Sequence, residues 1–196
     1  MKRLRFAGLL FFVIQMLFSI GASAQSADKL YAEGKKLYDE KNYEAALPKL
    51  LAAAEKGHRK AQYRVGRCYD KGNGTAEDDV KAVEWYGKSA AQGFAKAQYQ
   101  LGKCYKNGEG VEKDRKKAVE LFMKAAKQEN ADAELALGKA YLKGKGIAED
   151  KSQAKKWLSR ALSNPKGGKE LLEEVRAEAS AGDADAKTIL ALTGKK

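Results

Sequence analysis

Residues 61–96 read AQYRVGRCYDKGNGTAEDDVKAVEWYGKSAAQGFAK, and residues 97–132 read AQYQLGKCYKNGEGVEKDRKKAVELFMKAAKQENAD. Sliding the chain by 36 positions superposes 17 identical residues, where average usage gives roughly two or three. Among them are Ala61 with Ala97, Gly66 with Gly102, Tyr69 with Tyr105, Gly72 with Gly108, Gly74 with Gly110, Asp78 with Asp114 and Ala82 with Ala118. A third copy opens at Ala133 and keeps Gly138, Tyr141, Gly144, Gly146, Asp150, Ala154 and Trp157 in register. A period of this length describes a stack of similar units, each touching only its neighbours.

Within the first unit, Ala61, Val65, Cys68 and Tyr69 recur at helical spacing and define one apolar face of a helix A. Gly66 on that face lets a second helix approach closely. Gly72 and Gly74 supply a turn, and Asp78, Asp114 and Asp150 stand where an N-cap or first-turn acid favours the start of helix B. Ala82, Val83, Tyr86 and Ala90 then form the apolar stripe of helix B. No unit covers its own stripe, so neighbours must stack.

All three units satisfy A-x(4)-G-x(2)-Y-x(2)-G-x-G-x(3)-D-x(3)-A. In this pattern the chain resembles the Sel-one-like repeats, relatives of the tetratricopeptide repeat, from Ala61 to about Ala161. The resemblance implies an all-α, right-handed superhelical solenoid of antiparallel helix pairs whose usual role is scaffolding by protein contact. The expected organisation is three repeats at 61–96, 97–132 and 133–168. Before them, residues 25–60 read as a tetratricopeptide-like helix pair, because Gly34 to Ala46 spans 12 residues where Gly66 to Ala82 spans 16. Asn42 is its expected N-cap, and Pro48 is expected to remove a backbone bond and bend helix B. After the break at Asn164-Pro165-Lys166-Gly167-Gly168, residues 169–196 read as capping helices carrying Leu171, Leu172, Val175 and Ala179, then Ile189, Leu190 and Leu192.

The first 24 residues read as a signal peptide: Lys2, Arg3 and Arg5, an apolar run from Phe6 to Ile20, and the small residues Ala22-Ser23-Ala24. The run is short for a span of about 20 residues, so export to the periplasm, cell envelope or exterior is expected, with a membrane role only if the signal stays uncleaved. The net charge of +12 is spread among interspersed acids along amphipathic helices. That pattern and an exported location argue against nucleic acid and favour a solvated surface that suits acidic partners or anionic envelope surfaces.

Cys68 and Cys104 share a column whose third member is Ala140. Equivalent atoms of stacked repeats lie about 10 Å apart, beyond the roughly 7 Å reach of a disulfide, so both are expected as buried thiols. A cysteine-rich secreted branch of the family has a bridged pair in each repeat, and this chain lacks that spacing.

Little here builds an enzyme, a cofactor site or a metal site. The one histidine, His58, falls in a polar turn and is expected to be solvated. The G-x-G loops follow helices rather than strands, and Asp78, Asp114 and Asp150 would repel phosphate. A non-enzymatic protein-binding solenoid is the main expectation. The alternatives are an envelope enzyme or ligand-binding protein acting on cell-wall-like or β-lactam compounds, implied by the cysteine-rich relatives, and a structural spacer.

Superposition on the tetratricopeptide pattern implies a concave groove lined by helix A. Its columns hold Tyr31, Lys35 and Tyr38; Tyr63, Arg67, Asp70 and Lys71; Tyr99, Lys103, Lys106 and Asn107; and Leu135, Lys139, Leu142 and Lys143. Aromatics flanked by cations suit a protein or extended peptide with acidic and apolar groups. The same tyrosines could instead pack between helices, with the cations as ordinary solvated surface.

Overall fold

The computed structural model describes residues 25–195, so the expected leader lies outside the described residues. Ten helices and no strand occur among them: α1 Ala27–Asp39, α2 Tyr43–Glu55, α3 Arg59–Lys71, α4 Asp79–Ala91, α5 Ala95–Asn107, α6 Arg115–Ala126, α7 Ala131–Lys143, α8 Lys151–Leu162, α9 Gly168–Ser180 and α10 Ala184–Thr193. Each odd-numbered helix from α1 to α7 packs on the even one that follows, and each pair packs on the next. The outcome is an all-α solenoid. In each of the three repeats, helix A begins two residues ahead of the alanine from which the period was counted.

Glycine sets the spacing within a pair. A Cβ on Gly102 would lie 2.6 Å from the Phe122 ring, and the same column puts Gly66 against Tyr86 and Gly138 against Leu158. The ring of helix B therefore rests on the backbone of helix A. Asp78, Asp114 and Asp150 resolve as N-caps: Asp78 accepts from Lys81 N–H and Asp114 from Lys117 N–H, each at 2.9 Å. The same three residues donate their own N–H groups to Tyr69, Tyr105 and Tyr141 carbonyls, which closes each loop back on helix A.

Between pairs, a polar clasp recurs every 36 residues. Gln92 donates to Gln62 at 2.7 Å and Gln128 to Gln98 at 2.8 Å, while Gln62 and Gln98 donate to the Ala54 and Ala90 carbonyls of the preceding helix B. In the third repeat the buried member is Glu134, a carboxylate with no donor to give. Arg160 supplies what is missing: its Nε lies 2.6 Å from Glu134, and its guanidinium reaches the Ala126 carbonyl at 3.5 Å. Asn164 adds a bond to Glu134 at 2.8 Å.

The ends follow the same logic. Asn42 caps α2 by accepting from Ala45 N–H, and α2 runs through Pro48 to Glu55. At the other end, Leu171, Val175, Ala179, Ala186 and Ile189 of α9 and α10 close over Leu158 and Leu162. His58 differs from the expected solvated turn residue. Its Nδ1 accepts from Ala61 N–H at 3.1 Å to cap α3, Nε2 lies 3.3 Å from Asp28, and the ring stacks on Tyr31 at 4.2 Å. The helix start needed an acceptor, and imidazole provides one as asparagine does at Asn130. Cys68 and Cys104 are buried free thiols, and burial raises them to about 11 and about 12.

Candidate functional site

The tyrosines of the helix-A columns are half-buried, each resting on a neighbouring element. Tyr31 stacks on His58, Tyr63 meets Phe94 edge-on at 5.3 Å, and Tyr99 lies 5.8 Å from the Phe122 ring. Burial pushes the Tyr99 phenol up to about 12, with Asp132 contributing next. Tyr38 accepts from Asn73 and lies under the Arg64 guanidinium. The cations divide into engaged and unengaged groups. Lys35 pairs with Asp39, Lys71 reaches Asp70 at 3.4 Å, and Arg67 donates to the Tyr63 hydroxyl. Lys103 sits 5.9 Å over the Tyr99 ring.

From Tyr99 onward these residues converge. Tyr99, Lys106 and Asn107 of α5 and Leu135, Lys139 and Lys143 of α7 form facing walls of a cavity of about 420 Å³, a size typical of ligand pockets, at about 300–1,000 Å³. Ala118, Val119 and Phe122 of α6 line it between those walls. Lys113 and Lys145 join from the loops and Arg115 from the start of α6, so six cations and one acid, Asp132, surround the apolar surface. None of Lys106, Lys113, Arg115, Lys139 and Lys145 reaches an acid within ion-pair distance among the described residues; Lys143 pairs with Asp185 of α10. Partial burial, with Lys103 and then Lys139 as repelling neighbours, holds the Lys106 ammonium below the usual lysine range, although Glu109 opposes this.

The Sel1 repeat family matches residues 59–94, 95–130 and 131–165, three units that cover more than half of the chain. The chain belongs to the Sel1 repeat family. It is similar to the crystal structure of a Sel1 repeat protein from Oxalobacter formigenes, at 32% identity and a TM-score of 0.66, over 82% of this chain and 74% of that one. It is also similar to a protective antigen of uropathogenic Escherichia coli strains that displays the same fold, at 28% identity and a TM-score of 0.72. That match covers 92% of this chain but 40% of the antigen. Sel1 repeat proteins generally mediate protein–protein interaction and are typically non-enzymatic scaffolds.

Sel1 repeats are built alike, yet the two junctions between them differ here. Moved back by 36 residues, the columns of the cavity hold Asp70, Glu77, Asp79 and Glu109 in place of Lys106, Lys113, Arg115 and Lys145. Lys103 stands for Lys139, Asn107 for Lys143, Lys71 for Asn107 and Lys96 for Asp132. Six cations and one acid thus become three cations and four acids. Size changes too, since Tyr86, Tyr99 and Gln100 replace Phe122, Leu135 and Ala136. The Tyr86 hydroxyl donates to Asp70 at 3.0 Å, and burial, then Asp70, keeps that phenol protonated well above the usual range. A reading of helix-A columns missed Lys113, Arg115, Lys145 and Val119, which belong to loops and to helix B. Their signal was present as a reversal of charge sign between aligned repeats.

Proposed function

We propose that the protein is an exported, non-enzymatic adaptor that holds an extended acidic and apolar segment of another protein against its helix-A surface. The observation that carries this reading is the convergence of unpaired cations from α5 and α7 on half-buried aromatic and aliphatic side chains. Such cations cost little to keep hydrated and gain most from an acidic partner, which they also steer into contact. Export rests on the residues of the leader alone. The test is binding of an acidic peptide library to residues 25–196, with Lys103→Glu and Lys139→Glu as variants. Salt-sensitive binding that both reversals weaken supports the adaptor. Selection of neutral or basic peptides, or indifference to both reversals, contradicts it.

A further inference from the structure

The helix-A reading, taken alone, gives an aromatic and a cation at each step of the stack, so that a peptide would be held periodically. The two Sel1 junctions are not equivalent, however. At the α3–α4–α5 junction, Asp70, Glu77, Asp79 and Glu109 would repel a carboxylate, and the columns of Phe122, Leu135 and Ala136 hold the bulkier Tyr86, Tyr99 and Gln100. At the α5–α6–α7 junction, Ala136 and Leu135 leave the cavity open, and Phe122, buried at its floor, has no hydroxyl to satisfy. The geometry points to a single anchoring pocket at this second junction. It takes one apolar side chain flanked by carboxylates, from an acidic peptide segment of a partner protein. This rests on the adaptor reading above and narrows it to one place.

Three observations support that occupant. Leu135 and Ala136, over the buried Val119 and Phe122, lie between the cations of the helix-A walls and those of the loops and the start of α6, so an apolar group seated there has charge on either side. Five of the six cations lack an acid within ion-pair distance among the described residues. The sixth displays the chemistry already: Lys143 holds the Asp185 carboxylate, which is kept below the usual aspartate range by that bond first and, against burial, by the charges of Lys143, Lys139 and Lys145. A carboxylate of this chain thus sits at the pocket edge, and the remaining cations are placed to hold others. Lys106, whose charged form is disfavoured by burial and by Lys103, gains most from such a partner.

The experiment uses fluorescein-labelled short peptides with a leucine between two glutamates, and controls with the leucine changed to serine or the glutamates to glutamine. Fluorescence anisotropy measures their binding to residues 25–196. Two variants act on the second junction: Ala136→Gln, which places there the residue that the previous repeat carries as Gln100, and Lys106→Gln. Two act on the first: Gln100→Ala and Lys71→Gln. Circular dichroism of each variant verifies the fold. The pocket predicts that the parent peptide binds, that either control peptide loses about tenfold or more, and that the second-junction variants lose about as much while the first-junction variants stay within about twofold. Equal losses at both junctions would overturn the single anchor and leave the adaptor reading standing. Binding that ignores all four variants, or no binding of the parent peptide, would overturn the pocket, and the library experiment then decides the adaptor reading by itself.

Discussion

The first and second Sel1 junctions share the glycines that space each helix pair and the aspartates that cap helix B, yet one carries an internal tyrosine–carboxylate pair and the other is open and strongly cationic. At the first, Tyr86 and Asp70 satisfy each other and Lys71 lies beside Asp70. At the second, the columns of that trio hold Phe122, Lys106 and Asn107, and the lysine has no acid within ion-pair distance among the described residues. A repeat fold is maintained by its glycines, alanines and capping aspartates, so the residues between them are free to invert charge without disturbing the stack. Function in such a protein is written in departures from the period.

The comparison can be broken most strongly at the wall of the open junction. Glu134 is fully buried on α7, and Arg160 is its charged partner. Arg160→Ala should cost about 3 kcal/mol, because a buried carboxylate is left with Asn164 alone. Lys124→Ala, the same column one repeat earlier, should cost almost nothing, since the clasp there is between two amides. Urea unfolding of both variants checks this, and equal midpoints would contradict it.

Next is the loop that carries Lys145. Gly146 has φ +82, and a Cβ there would lie 2.3 Å from the Arg115 carbonyl. Gly146→Ala should therefore lose about 1–3 kcal/mol and move Lys145 away from Arg115, weakening acidic peptides as well as stability. Thermal unfolding with peptide titration reads both, and a loop that tolerates alanine would refute the close approach.

The closed junction can be opened on purpose. Tyr86→Phe should cost about 1–2 kcal/mol by removing a hydrogen bond to a carboxylate. Adding Asp70→Lys to it recreates the pair Phe122 and Lys106 and should raise affinity for acidic peptides at the first junction. Calorimetry that finds no gain would show that Gln100 and Tyr99 close this junction by themselves.

The smallest effect concerns acid. The Asp185 carboxyl is lowered in the fold, so its contribution is present above the unfolded aspartate value of about 3.9 and is lost as pH falls through the lower folded value. Melting temperatures taken from pH 7 to about pH 2 should show the wild type losing its advantage over Asp185→Asn only in that acid range. A constant difference across pH would mean that Lys143 does not hold the folded carboxylate.

The helix pairs, their caps and the capping role of α9 and α10 were legible in the sequence because glycine, alanine and capping aspartate answer to backbone geometry, which repeats. Tyr99, Lys106, Lys139 and Lys143 were legible as candidates for the same reason, lying in helix-A columns. Lys113 and Lys145 were not, because a loop side chain reaches the cavity only once the second loop glycine has locked that loop onto the preceding helix B; Arg115, which opens a helix B, lies outside the helix-A columns as well. His58 was misjudged for a related reason. Its environment is made by Tyr31 and Asp28, 27 and 30 residues upstream, and no local pattern announces that packing.

The inversion of charge between the junctions can be measured directly by broadening of backbone amide resonances with anionic and cationic nitroxides of the same size. The account predicts that the anionic probe broadens the amides of Ala136 and Lys139 well beyond those of Gln100 and Lys103 at low salt, with the cationic probe reversing the order. Equal broadening at the two junctions, or a preference of the anionic probe for the first, would contradict it.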